Sequence, residues 1–205
     1  MAYRASRCIV FMVAGLLSVF LLPGCAKDAT PRKVVVPDAK PASSPQAIDW
    51  AFKPKAIPLH IQAEQGLNWY QGEPHVLKIC VYQLSGAKKF DGLRKSIAGV
   101  QQLMQCRAAI DPEVALAQSW FIQPGQEKTF ILDRAQGARY IGVVAGYFNQ
   151  APDQVSRILP YPVKVNTPIS PVLFWQDKTY EPGHLTLSLK LFSAGIALTE
   201  ATDDD

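Results

Sequence analysis

The sequence predicts an all-β protein, a β-sandwich of about eight strands with a small helical insertion after the second strand. Short segments with a two-residue apolar period recur between residues 57 and 191, and turn sequences containing Gly and Pro separate them. One stretch, residues 88–113, instead has apolar residues at helical spacing. We therefore expect one sandwich domain over residues 56–199, followed by a frayed acidic tail at residues 200–205.

Residues 57–63 and 76–84 are the first two predicted strands. The first alternates apolar and polar residues, so one of its faces is expected to meet solvent. The second is apolar on both faces. We assign the face of Leu77, Ile79 and Val81 to the core and expect the helical insertion to cover the other face.

The insertion carries one apolar stripe at steps of three or four residues. Its members are Phe90, Leu93, Ile97, Val100 and Met104. Gly99 lies within this pattern and costs about 1 kcal/mol relative to Ala in a helix, so the sequence also allows two shorter helices.

Six further strands are predicted from short apolar segments. They cover residues 120–122, 129–132, 140–148, 157–165, 172–175 and 185–191. Pro160 and Pro162 place the fourth of these at a sheet edge, because proline has no N–H to donate to a neighbouring strand. The last has the clearest two-residue period, with leucine at every second position from Leu185 to Leu191.

The amino terminus has the parts of a secretory signal followed by a lipid attachment site. Two arginines precede a 14-residue apolar run, residues 9–22. This is shorter than the about 20 residues that cross a bilayer. The run ends in Leu22-Pro23-Gly24-Cys25, the pattern of a bacterial lipobox. We expect residues 1–24 to be removed and Cys25 to be lipidated; the alternative is a plain signal peptide cut near Cys25 without lipid.

Acyl chains on Cys25 would anchor the protein to a membrane. Each buried methylene contributes about 0.8 kcal/mol, so several chains make the attachment effectively permanent. The next residue is Ala26, whereas Asp there usually retains a lipoprotein in the inner membrane. The sequence therefore favours the outer membrane, with the protein facing the periplasm. Residues 25–55 contain five prolines and have the composition of an extended tether, in which the Trp50 patch packs on the domain edge.

Composition and cysteine content limit the function further. Without residues 1–24, which hold two arginines and no acid, the net charge falls from +4 to +2, and no basic run is longer than Lys88-Lys89. Nucleic-acid binding is therefore not expected. Cys80 and Cys106 form an even pair in an oxidising compartment, so we expect a disulfide that pins the insertion to the sheet. The alternative is two buried free thiols.

The sequence offers no arrangement typical of catalysis or metal binding. The three histidines, His60, His75 and His184, lack the close spacing of metal ligands. No serine lies in a Gly-x-Ser-x-Gly elbow, and no phosphate-binding glycine loop opens a helix. We therefore expect no enzyme activity, no cofactor and no metal.

Several motifs follow one another in an order that matches a known family. They are Leu67-Asn68, Gly72-Glu73-Pro74, Val81-Tyr82-Gln83-Leu84, Phe90, Pro124-Gly125-Gln126 and Tyr140-Ile141-Gly142-Val143-Val144-Ala145. With the lipobox and the chain length, they resemble the type VI secretion lipoproteins called TssJ, SciN or VasD. The resemblance covers about residues 57–192 and implies a transthyretin-like β-sandwich. One departure is Val155-Ser156-Arg157, where the family often has Trp before Arg.

The resemblance implies a structural role. The family anchors a trans-envelope secretion complex to the outer membrane by binding the periplasmic domain of the inner-membrane protein TssM. Its partner-binding loop corresponds to Asn68, Trp69, Tyr70 and Gln71; the alternative is that one ring folds back and closes the sandwich edge. No small-molecule substrate is expected. A second hypothesis is a periplasmic lipoprotein that carries a small hydrophobic ligand or trims a substrate, which a deep apolar pocket would favour.

Overall fold

Two four-stranded sheets form a β-sandwich in the computed structural model, which describes residues 40–149, 151–167 and 178–201. The strands among these residues are β1 Lys53–Ala63, β2 Leu77–Leu84, β3 Val114–Ile122, β4 Glu127–Arg134, β5 Tyr140–Ala145, β6 Ser156–Pro160, β7 Val163–Asn166, β8 Thr179–Pro182, β9 Thr186–Leu191 and β10 Ile196–Ala201. The helices are α1 Lys88–Leu93, α2 Ile97–Leu103 and α3 Pro152–Val155, with 3-10 turns at Pro45–Ala47 and Ala108–Ile110. The predicted β-sandwich with a helical insertion after the second strand is therefore confirmed.

The order of the strands places β1 and β2 inside their sheets. The first sheet has the order β10-β9-β1-β4 and the second the order β3-β2-β5-β6. β1 and β9 are parallel, whereas the other pairs in both sheets are antiparallel. β7 and β8 form a separate antiparallel ribbon. β6 lies at a sheet edge, a position that tolerates the proline at its end.

Alternate residues of the two sheets form one hydrophobic core. The buried members from the central strands include Ile57, Leu59, Ile61, Leu77, Ile79, Val81, Ile141, Val143, Leu187 and Leu189. Each fully buried aliphatic side chain contributes roughly 1.5–3 kcal/mol relative to an exposed one. The residues assigned to the core from β2 are buried, and so is the opposite face of that strand, including Cys80 and Tyr82.

Helices α1 and α2 cover this second face of β2. The rings of Phe90 in α1 and Tyr82 in β2 lie 5.5 Å apart, centre to centre. The Tyr82 hydroxyl donates a hydrogen bond to the carbonyl of Leu103 at the end of α2. Burial raises the pKa of Tyr82 to about 12. The insertion is therefore fixed to the sheet by both apolar packing and a buried hydrogen bond.

The insertion forms two short helices with a break between them, which is the alternative that the sequence allowed to one continuous helix. Ile97 opens the second helix and is exposed. The side chain of Ser96 caps α2 by accepting a hydrogen bond from the Gly99 N–H at 3.1 Å. A Cβ at Gly99 would collide with the backbone carbonyl of Leu93 in α1. The glycine therefore permits the close contact between the two helices.

Gly142 of β5 lies directly beneath the ring of Phe90. An added Cβ would lie 2.6 Å from Phe90 Cζ, so Gly142→Ala must displace the ring and with it α1. We expect the free energy of unfolding to fall by about 1–3 kcal/mol, the usual cost of overpacking. Gly92→Ala in α1 is the matched control, since its Cβ meets open space and Ala favours a helix by up to about 1 kcal/mol. Urea denaturation compares the two; equal stability of Gly142→Ala and the wild type would contradict this packing.

The folded domain begins earlier than predicted. Ile48 and Trp50 are buried, and β1 starts at Lys53. Arg134 at the end of β4 donates to the carbonyl of Ala51 at 3.0 Å and lies 5.6 Å over the Trp50 ring. We call residues 48–52 the lead-in segment. The predicted tether of residues 25–55 is therefore wrong in its last part, although the Trp50 patch packs on the domain as expected.

The second half of the chain differs most from the prediction. The predicted strand at 157–165 is two strands, β6 and β7, and the predicted strand at 140–148 ends at Ala145 as β5. The segment 185–191 is not the last strand, because β10 follows it and includes residues 200 and 201, which were assigned to the tail. The predicted strand at 172–175 and the predicted lipidation site Cys25 lie outside the described residues.

Candidate interaction surface at the loop end

β1 joins two distinct ends of the sandwich. It begins beside the lead-in segment, which defines the tether end, and it finishes at Ala63, where the β1–β2 loop of residues 64–76 defines the loop end. At roughly 3.3 Å per residue, the 11 residues of β1 separate these ends by about 35 Å. Backbone hydrogen bonds also hold the turns at 123–126 and 192–195 at the loop end.

Asn68 is buried and ties three segments of the loop end together. Its side-chain oxygen accepts from the N–H of Phe148 at 3.0 Å, and its side-chain nitrogen donates to the carbonyl of Val76 at 3.2 Å. Its own N–H donates to the carbonyl of Phe192 at 3.4 Å. Its φ of 49° lies in the left-handed region, which asparagine tolerates better than most residues. The assignment of Asn68 as a contact residue is therefore wrong, since only 3% of it is exposed.

The next three residues of the loop face solvent. Trp69 is 53% exposed and Tyr70 is 44% exposed, and Gln71 is also exposed. Neither ring is buried against the sandwich edge, which was the alternative for this loop. The N–H of Trp69 donates to the carbonyl of Ser193 at 3.0 Å, so the β9–β10 turn fixes the loop at its base. The exposed rings thus project from an anchored backbone.

A third aromatic residue, Phe148, joins this surface from the segment after β5. Its ring stacks on Tyr70 with centroids 4.5 Å apart and an interplanar angle of 18°, and it remains 55% exposed. His75 meets the Phe148 ring edge-on at 5.0 Å. We call Trp69, Tyr70, His75 and Phe148 the aromatic surface. Sequence analysis missed Phe148 because it was counted as the last residue of a strand.

The end of β5 is held in place by a buried hydroxyl. The Tyr147 hydroxyl donates to the carbonyl of Gly195 in the β9–β10 turn at 2.7 Å. Burial raises the pKa of Tyr147 well above its usual range, so the phenol keeps its proton as a donor. Tyr147 and Asn68 therefore both position the backbone beneath Phe148.

The structure brings the predicted cysteine pair together. The Cα atoms of Cys80 in β2 and Cys106 beyond α2 lie 5.5 Å apart, a separation that suits a disulfide, and the two residues are placed as a bonded pair. Cys80 is fully buried under the insertion. That the bond forms in the mature protein remains a prediction.

Two clefts near the insertion differ from the deep apolar pocket that a ligand carrier needs. The smaller one, between α1 and the ends of β2 and β3, has a cavity volume of about 10 Å³, enough for a single water. The larger, about 450 Å³, is open to solvent, and four of its six lining residues are charged: Lys88, Lys89, Asp111 and Glu113. Neither cleft suits a buried hydrophobic ligand.

The described part of the chain contains no cluster of three or more potential metal-ligating residues. His60 instead shares a hydrogen bond with Thr129 at 2.9 Å on the outer face of the first sheet. No helix within the described ranges has the length and hydropathy of a membrane span.

Comparison with known proteins identifies related sequences and folds. The family model described as "Type VI secretion lipoprotein, VasD, EvfM, TssJ, VC_A0113" matches residues 55–178. The type VI lipoprotein TssJ1 from Pseudomonas aeruginosa has a TM-score of 0.51 at 16% identity, covering 72% of this chain and 97% of that one. Serratia marcescens Lip, a membrane-bound component of the type VI secretion system, has a TM-score of 0.51 at 22% identity, covering 70% and 96%.

A third match is a chain in a structure titled "T6SS protein TssM C-terminal domain (869-1107) from EAEC". Its TM-score is 0.50 at 16% identity, and the match covers 71% of this chain and 98% of that chain. At identities of 16–22%, these three matches show that the structures share the fold of this chain. No curated protein sequence matches the chain.

Proposed function

Because this chain belongs to the type VI secretion lipoprotein family, we propose that it is an outer-membrane lipoprotein that binds the periplasmic domain of the inner-membrane protein TssM. In this role it is a structural component of the secretion membrane complex and has no catalytic activity. The acyl chains on Cys25 attach it to the outer membrane, and the aromatic surface at the loop end receives the partner.

The observation that carries this proposal is the position of the aromatic surface. Residues 48–52 lead into the start of β1 at the tether end, whereas Trp69 and Tyr70 lie at the loop end, about 35 Å away along β1. A domain tethered at one end presents its opposite end to the periplasm. This is the direction from which an inner-membrane partner approaches.

The chemistry of the surface supports the same proposal. Tryptophan and tyrosine are the residues most often found at the energetic centre of protein interfaces, because they bury a large area at little entropic cost. Here hydrogen bonds from Asn68 and Trp69 already hold the loop backbone, so binding need not order it. A pre-ordered loop reduces the entropic cost of association.

A pull-down from detergent-solubilised envelopes tests the partner. The tagged full-length protein is expected to retain TssM as the main inner-membrane protein identified by mass spectrometry. A matched purification of an unrelated outer-membrane lipoprotein supplies the background. Absence of TssM above that background would contradict the proposal.

Cys25→Ser tests the anchor separately. This variant is expected to leave the outer-membrane fraction and appear in the soluble periplasm, because the acyl chains that hold the protein can no longer be attached. Its folded domain should still bind the isolated partner with wild-type affinity. If Cys25→Ser still floats with outer-membrane fragments, another anchor exists and the lipidation argument is wrong.

A further inference from the structure

We propose that the docking surface is composite, with Phe148 as a second aromatic anchor and Asn68 as the residue that positions it. This inference rests on the proposed function and assigns to the same partner a surface built from two separate segments. The partner is expected to place an apolar segment across the stacked rings of Tyr70 and Phe148.

The stacking of these rings makes one continuous surface from two loops. Tyr70 and Phe148 are nearly parallel, with an interplanar angle of 18°, and each keeps about half of its area exposed. Val76, which is also exposed, adds an aliphatic neighbour whose carbonyl is bound by Asn68. Single exposed apolar residues are common, whereas contiguous groups of them mark interaction sites.

Asn68 connects the two halves of this surface. One amide group contacts both segments, accepting from the Phe148 N–H and donating to the Val76 carbonyl. Both contacts are direct hydrogen bonds from a nearly fully buried side chain, so loss of the amide would leave the Phe148 N–H and the Val76 carbonyl, both part-buried, without these partners. The relative position of the Tyr70 and Phe148 rings therefore depends on Asn68, although Asn68 itself is too buried to contact the partner.

Phe148→Ala tests the second anchor. Titration of the periplasmic domain of TssM is expected to show at least about tenfold weaker binding, the effect of removing an interface anchor. The melting temperature should change little, because the ring is 55% exposed. Phe52→Ala is the matched control: Phe52 is 43% exposed but lies at the tether end, and its removal is expected to leave affinity unchanged.

Asn68→Gly tests the positioning role in a double-mutant cycle with Phe148→Ala. Glycine keeps the left-handed backbone and removes both side-chain hydrogen bonds. Asn68→Gly should weaken binding in the wild-type background and weaken it less once Phe148 is absent. If Asn68→Gly does not fold, Asn68→Asp is the second variant. Aspartate keeps an oxygen that can accept from the Phe148 N–H, so the Phe148 amide of this variant should stay protected from hydrogen exchange.

The outcomes separate this inference from the proposed function. If Phe148→Ala binds as tightly as the wild type while loss of Trp69 and Tyr70 weakens binding, the composite surface is wrong and the proposed partner stands. If the effects of Asn68→Gly and Phe148→Ala on affinity are additive, Asn68 does not act through Phe148. If the wild-type domain does not bind the partner, the proposed function itself is wrong.

Discussion

Breaking the Cys80–Cys106 pair is expected to lower the free energy of unfolding by about 3 kcal/mol. The bond would close a loop of 26 residues that contains both helices of the insertion, and cross-linking a loop of this length restricts the unfolded chain by about that amount. The effect should be concentrated in the insertion, because its other contacts with β2 are noncovalent: the packing of Phe90 on Tyr82, and hydrogen bonds from Lys78 and Tyr82 to carbonyls at the end of α2. Denaturation of the oxidised and the fully reduced wild-type domain measures the difference without altering a side chain.

Cys80→Ala with Cys106→Ala provides the matched variant. Its stability should be close to that of the reduced wild type, and added reductant should not lower it further. Thiol labelling of the unfolded, unreduced mature protein shows whether Cys80 and Cys106 are bonded or free. Two reactive thiols per domain would show that the cysteines are free and would exclude the bond.

Trp69→Ala combined with Tyr70→Ala is expected to cost at least about 2 kcal/mol of partner binding, roughly a 30-fold loss of affinity. The two rings together supply the exposed aromatic area of the β1–β2 loop, and they contribute little to the core. The melting temperature should therefore stay close to that of the wild type. Titration against the periplasmic domain of TssM, run beside a thermal melt, measures both quantities.

A control variant makes this result specific to the loop end. Ile131→Ala removes a side chain of similar exposure from β4 of the first sheet, and we expect it to leave affinity unchanged. An unchanged affinity of the double variant would remove the loop from the interface. A large fall in its melting temperature would assign the rings to the core instead.

The fold was predictable where a periodic pattern extended over a whole strand. β2 and β9 have leucine, isoleucine or valine at alternate positions, and the second apolar face of β2 required a cover, which α1 and α2 supply. β10 was missed because only Ile196 and Leu198 carry its buried face. A short strand that completes a sheet edge depends on its neighbour more than on its own pattern.

The loop end was only partly predictable for a physical reason. Adjacent Trp69 and Tyr70 indicated exposed rings, because a single short loop cannot bury both. The contacts of Asn68 with Phe148, 80 residues later, are tertiary and leave no local pattern. Asparagine in a turn sequence is compatible both with an exposed contact residue and with a buried tie between loops, and only the fold distinguishes them.

The lead-in segment illustrates the same limit at the tether end. Prolines on both sides of Trp50 suggested a solvated tether. The Trp50 ring instead packs on Tyr161, with ring centroids 6.1 Å apart, and the Arg134 guanidinium lies over its face. Its burial depends on Arg134 and Tyr161, which lie more than 80 residues away in the sequence. Composition therefore placed the domain boundary too late.

Hydrogen exchange of the domain alone and in complex with the periplasmic domain of TssM tests most directly whether the partner binds at the loop end. We expect slower exchange in the complex within residues 64–76 and 146–149, with no change in the lead-in segment, residues 48–52. Slower exchange confined to the tether end, or to strands remote from the aromatic surface, would contradict binding at the loop end.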